Sequence, residues 1–170
     1  MAAVEAAKVR SAGEGIMECR FIKPQQLKPT EEHDPKAVSE LAAKIARDGV
    51  WRAPLLIHRG NFAILDGHHR RQAAIDMHLC VIPCFVCSYA YDNIQLDTWR
   101  PDYHPTASDV FRAASTGHLF PRKTTRHRFP QLGLDFAIPL DLLIEHGKSA
   151  VDERLLARLN ARLAVALSRC

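Results

Sequence analysis

Residues 65–74 read LDGHHRRQAA, and the reading of this stretch decides the arrangement of the rest of the chain. The run leading into it, APLLIHRGNFAILDG (53–67), has two apolar, β-rich segments flanking Arg-Gly-Asn, so it reads as strand, turn, strand ending at Asp66-Gly67. HHRRQAAIDMHL (68–79) then continues as a helix with Ala73, Ala74 and Met77 facing inward, and VIPCFVCSY (81–89) forms a further strand. An acid and a glycine on a strand-to-helix turn, followed by two histidines and two arginines, make an anion cradle. Free backbone N–H groups and the positive end of the helix dipole favour a phosphate there. Gly67 allows close backbone approach, and Arg70 has the fork geometry to grip phosphate oxygens. Cationic side chains in a first helical turn oppose the dipole, a conflict that a bound polyanion would remove. Asp66 offers the hard oxygen that suits Mg2+ bridging those phosphates. For His68 and His69, phosphate contact and hydrogen bonding within the loop both stay open.

Upstream, MECRFIKPQQL (17–27) reads as a first strand that stops before Pro29. The loop PTEEHDP (29–35) follows. A helix then starts with Asp34 as N-cap and Pro35 in the first position, carries Val38, Leu41, Ala42 and Ile45 at helical spacing, and ends at Gly49. Downstream, TASDVFRAASTG (106–117) is a short helix capped by Thr106 or Ser108 and ended by Gly117. LFPRKTTRHRFP (119–130) is a Pro-rich basic loop, and VDERLLARLNARLAVALSRC (151–170) places Leu155, Leu156, Leu159, Leu163 and Leu167 on one stripe of an amphipathic helix. That stripe packs against the sheet or, less simply, forms a dimer seam.

At 170 residues, 47% hydrophobic and 25% charged, the composition is that of one globular domain with a real core. No apolar run is long enough to span a membrane, and MAAVEAAKVRSAGEG (1–15) lacks a compact apolar signal core, so a cytoplasmic protein with a frayed leader is expected. The formal charge of +4 suits an anionic ligand but lacks the dense Lys/Arg clustering of a dedicated nucleic-acid binder. An odd five cysteines argue against a disulfide framework. Cys80, Cys84 and Cys87 have a spacing that hints at zinc, but strand alternation separates them and only His78 stands near as a fourth ligand, so buried thiols are the better reading. His33, His58, His104, His118 and His146 are isolated and receive no role.

The order PTEEHDP, then LDGHHRR, then DTWRP with PRKTTRH resembles the free-serine kinases of the ParB/sulfiredoxin superfamily, over roughly residues 17–130. The resemblance implies a compact α+β fold of the ParB/sulfiredoxin type: a small mixed sheet flanked by helices, with a C-terminal amphipathic helix. The expected organisation is a leader (1–15), a catalytic domain (16–130) and a helical extension packed on it (131–170). It implies a kinase that converts free L-serine to O-phospho-L-serine from ATP or ADP with Mg2+, as a monomer or weak homodimer without a nucleic-acid partner.

Phosphoryl transfer to a hydroxyl needs a group that orients the nucleophile and accepts its proton, and Glu31 and Glu32 are the candidates. Similarity to the family assigns the role to Glu31, with Glu32 as the fallback. It also puts Asp66, Gly67, His68, His69 and Arg70 at the nucleotide, and Trp99, Thr125 and His127 around the serine, with Lys123 and Arg126 meeting a carboxylate or phosphate. Sulfiredoxin chemistry needs a nucleophilic cysteine in the phosphate turn, which here reads Gly67-His68-His69-Arg70. The rival reading is a ParB-like nucleotide- and DNA-binding module, whose usual helix-turn-helix region residues 131–170 are too few to supply.

Overall fold

The computed structural model describes residues 7–10, 16–90, 92–129 and 137–144. Strands β1 (Ala7–Arg10) and β2 (Ile16–Ile22) come first, then a 3-10 turn at Pro24–Gln26, where proline forbids further strand pairing. Helix α1 (Pro35–Asp48) is bounded by the expected devices: the Asp34 side chain accepts from the Lys36 and Ala37 N–H groups, and Gly49 closes the helix at φ +66°. Strands β3 (Val50–Trp51), β4 (Leu55–His58) and β5 (Ile64–Asp66) lead into helix α2 (His68–Asp76), followed by β6 (Ile82–Cys87). Beyond lie β7 (Gln95–Thr98), α3 (Ala107–Thr116), β8 (Thr125–Arg128), β9 (Ile138–Pro139) and a 3-10 turn at Leu140–Leu142.

The main sheet is mixed, in the order β1-β2-β6-β4-β5. β6 runs antiparallel to β2, with Arg20 opposite Cys84, and parallel to β4, with Leu56 opposite Phe85. All six residues of β6 are buried, as a central strand covered on both faces requires. Cys19, Cys84 and Cys87 lie in this core as free thiols, and burial pushes all three thiols up. The α+β class and small mixed sheet expected from the sequence are found.

Three expectations need correcting. The leader contains β1, paired antiparallel with β2 from Ala7 opposite Cys19 to Arg10 opposite Ile16. The basic loop after Gly117 contains β8, whose partner β7 was not foreseen; Thr98 faces Thr125 in that antiparallel pair. Finally, β9 pairs with β3, and Ile138, Leu140, Leu142 and Leu143 are buried in the core, so the compact unit runs past residue 130. The leucine stripe at 151–170 lies outside the described residues.

The acidic loop is laid along β5 before α1 begins. Lys28 N–H donates to the Phe62 carbonyl at 3.0 Å, Ile64 N–H to the Lys28 carbonyl at 2.9 Å, and the buried Thr30 hydroxyl to the Ile64 carbonyl at 2.9 Å. This pairing carries Glu31 and Glu32 to the edge where β5 turns into α2.

Candidate active site

The turn into α2 is built around Gly67, at φ +107°; a Cβ there would stand 2.7 Å from Leu55 Cγ, so no side chain fits. Among the described residues no side chain caps the first-turn amides of α2, and no acidic residue sits in that turn. The dipole conflict expected from the basic sequence is resolved inside the protein. His68 Nε2 accepts from the N–H groups of Thr30 at 3.1 Å and Glu31 at 3.2 Å, with Thr30 Oγ1 at 3.0 Å. A ring nitrogen that accepts two amide hydrogens carries no proton of its own. Burial, reinforced by surrounding positive groups, pushes the His68 imidazole down to about 3. His69 Nε2 accepts from Asp34 N–H at 3.1 Å, and its imidazole too is lowered, chiefly by burial. Both histidines therefore hold the acidic loop through Nε2 as neutral rings, the loop-bonding alternative left open by the sequence.

The arginines are likewise engaged. Arg70 pairs with Asp66 and donates to the carbonyls of Ala53, at 3.0 Å, and Pro54, while Arg71 Nε donates to the Pro24 carbonyl at 3.1 Å. The Arg70 fork is turned toward Asp66 and the backbone rather than standing open, and the anion-attracting groups left at the turn are the uncapped amides.

Glu31 is buried and lines the same cleft as Gly67 and His68. A segment from α3 to β8 closes over its loop: Phe120 N–H donates to Thr30 O and Glu32 N–H to Phe120 O, both at 2.9 Å, and Arg122 pairs with Asp34. Lys123, in a left-handed conformation at φ +57°, directs its backbone N–H to Glu31 Oε2 at 3.0 Å. Thr125 donates to Oε1 with both its backbone N–H and its hydroxyl, the latter at 2.5 Å. A carboxylate has about four acceptor positions. Three are filled by the described residues, and the fourth is on Oε2.

Glu31, Glu32, Leu41, Leu65, Asp66, Gly67, His68, His69, Arg70, Trp99, Lys123 and Thr125 line one cleft of about 360 Å3. All three sequence motifs thus meet, and Glu31 and Arg70 share a cavity. Trp99 is 57% exposed on its rim and stacks under the Arg126 guanidinium, 4.0 Å from the ring centre. Arg126 and His127 do not line the cleft. Strand alternation sends Arg126 to the opposite side of β8 from Thr125. His127 lies farther along the strand, its Nε2 2.6 Å from the Tyr89 hydroxyl. Burial pushes the His127 imidazole down to about 4; the Leu65 carbonyl and Asp66 pull the other way, although among the described residues Nδ1 closes no hydrogen bond of normal geometry. Among the described residues no group of three His, Cys, Asp or Glu side chains is placed to hold a metal ion. Asp66, exposed at the cleft with one oxygen on Arg70, fits the single-carboxylate, water-rich manner in which Mg2+ is held beside phosphates.

Sequence reasoning missed Thr30, Tyr89 and the backbone of Phe120. Thr30 and Tyr89 carried no signal beyond their neighbourhood, and Phe120 acts through atoms every residue has. Asp34 was legible as a cap, but not as the partner of His69 and Arg122.

Over 102 residues the chain is 28% identical to a ParB-like protein of Sulfolobus acidocaldarius, covering 57% of this chain and 51% of the relative. It is 30% identical over 85 residues to an ATP-dependent L-serine kinase of Staphylothermus marinus, covering 48% and 34%. The chain thus spans about half or less of the length of these curated relatives. Among solved structures, a glutamate-to-glutamine variant of a free serine kinase in complex with AMP superposes with a TM-score of 0.64 at 14% identity, covering 74% of this chain and 94% of the other, which shows a shared fold. The model of the ParB N-terminal domain matches residues 5–95, a stretch that holds both the acidic loop and the glycine turn it is pinned to, and the chain belongs to that family.

Proposed function

We propose that the protein is a nucleotide-dependent kinase that phosphorylates free L-serine to O-phospho-L-serine, using ATP or ADP with Mg2+. The observation that carries this reading is one cleft lined by both a glycine-opened helix start without a side-chain cap and a buried, pre-oriented carboxylate. The first-turn amides of α2 seat the terminal phosphates, and the Lys123 side chain, on the cleft and without an ion pair among the described residues, meets the negative charge of phosphate or substrate carboxylate. Asp66 would hold Mg2+, which would supply charge neutralisation of the phosphates. The remaining acceptor position on Glu31 Oε2 takes the proton of the serine hydroxyl as its oxygen bonds to the terminal phosphorus. The bond from that phosphorus to the nucleotide oxygen breaks, releasing the shortened nucleotide. Trp99 walls the acceptor side.

The relative named an L-serine kinase supports this reading. The test is incubation with Mg2+, ATP or ADP and a panel of amino acids, with detection of phosphorylated product. O-phosphoserine is expected, and Glu31→Gln is expected to abolish turnover while sparing nucleotide binding. The ParB family match favours, as a second reading, a nucleotide- and DNA-binding module. Nucleotide binding without acceptor-dependent turnover, together with salt-sensitive DNA binding, would replace the kinase by that module.

A further inference from the structure

Thr125 borders the cleft, and its resemblance-based role is contact with the substrate amino acid. Its hydrogen bonds point elsewhere. The hydroxyl has one proton, and that proton is directed to Glu31 Oε1 at 2.5 Å; the Thr125 amide is directed to the same oxygen. Glu31 in turn has no other side-chain partner among the described residues, since its remaining bond comes from the Lys123 backbone. The two residues are 94 positions apart and both are buried, so this contact is made by β8 docking beside the acidic loop and by nothing local.

We infer that Thr125 is a positioning residue for Glu31: it saturates Oε1 and turns Oε2, with its one open acceptor position, toward the reacting hydroxyl. Three consequences follow from donor and acceptor counting. With its proton committed, the Thr125 hydroxyl cannot donate to a substrate carboxylate. It keeps only acceptor capacity toward the cleft, which suits a substrate ammonium. Without the hydroxyl, Oε1 recovers an open position, and the carboxylate can rotate and present either oxygen or accept water.

The inference rests on the kinase reading, and the experiment separates the two. Steady-state kinetics with serine as the varied substrate compare wild type, Thr125→Val, Thr125→Ser and Glu31→Gln, with nucleotide affinity and thermal midpoint measured alongside. Thr125→Val, equal in size but without a donor, is expected to lower kcat about 10- to 100-fold while leaving the serine KM within about threefold. Thr125→Ser restores the donor and is expected to recover most of kcat at an unchanged serine KM. A raised serine KM with kcat unchanged overturns the positioning role and returns Thr125 to direct substrate contact. Should the valine variant fail to fold, Thr125→Cys, similar in size with a weaker donor, is judged by the same criteria. A wild type that makes no phosphoserine overturns the kinase reading itself, and a fully active Glu31→Gln overturns the base and with it any residue that positions it.

Discussion

His68 carries a consequence for the protein's response to acid. An imidazole held neutral in the folded chain, at about 3 instead of an ordinary value near 6.5, must lose ground when the unfolded chain takes up a proton. His127, at about 4, acts in the same sense. Their folded values lie below the unfolded ones, so the stability they permit is complete above pH 6.5 and is lost as pH falls from there toward 3–4. The slope approaches about 1.4 kcal/mol per pH unit for each such ring. Urea midpoints measured from pH 7.5 to 4.5 are expected to fall steadily, with a shallower fall in His68→Asn; a flat wild-type curve over that interval would contradict the buried neutral ring. Two glycines give a second contrast at this scale. Gly49 and Gly67 both have positive φ, but a Cβ at Gly49 meets open space whereas one at Gly67 strikes Leu55. Gly49→Ala is expected to cost about 1 kcal/mol and leave nucleotide affinity alone. Gly67→Ala is expected to cost about 2 kcal/mol or more, adding overpacking to backbone strain, and to abolish nucleotide binding measured by calorimetry.

Among the elements, the acidic loop owes its shape to neighbours on both sides: the α2 histidines take its amides, and residues 120–125 take its carboxylate and carbonyls. Asp34 joins the two jobs, capping α1 and pairing with Arg122, and its carboxyl lies below the usual range first because of the Ala37 N–H, with Lys36 N–H and Arg122 contributing. Asp34→Asn keeps an oxygen for the helix N–H groups and loses the ion pair with Arg122. It is expected to melt close to wild type, with Asp34→Ala clearly lower, because an exposed ion pair contributes less than a cap. An asparagine variant as unstable as the alanine one would shift the weight to Arg122. Helix α1 was legible down to its caps because aspartate, proline and glycine act on the backbone they belong to. Strand β8 was not, because TRHR is a strand only by virtue of QLDT beside it, and nothing within either tetrapeptide announces the other.

Across the whole molecule, the core continues past the boundary suggested by the motifs. Ile138, Leu140, Leu142 and Leu143 are buried, β9 pairs with β3, and Cys80 N–H donates to the Leu143 carbonyl at 2.7 Å. Four apolar side chains worth about 2 kcal/mol each amount to much of the roughly 5–15 kcal/mol that stabilises a domain of this size. A chain ended after Phe129 is therefore expected to lose cooperative unfolding and to expose Trp51, seen as a red-shifted, denaturant-insensitive fluorescence. A sharp native-like transition would show that the segment is dispensable.

Helix α1, the β4–β5 hairpin, the glycine turn and the identity of most cleft residues were written in the order of the amino acids, since capping, periodicity and turn chemistry act over a few positions. Folding alone settled the partners: neutral histidines bound to loop amides, Arg70 turned to Asp66, Arg126 stacked on Trp99, His127 joined to Tyr89, and Thr125 brought to Glu31 across 94 positions. These contacts depend on strand register and on which surfaces pack together, and those are properties of the closed chain that no single segment holds.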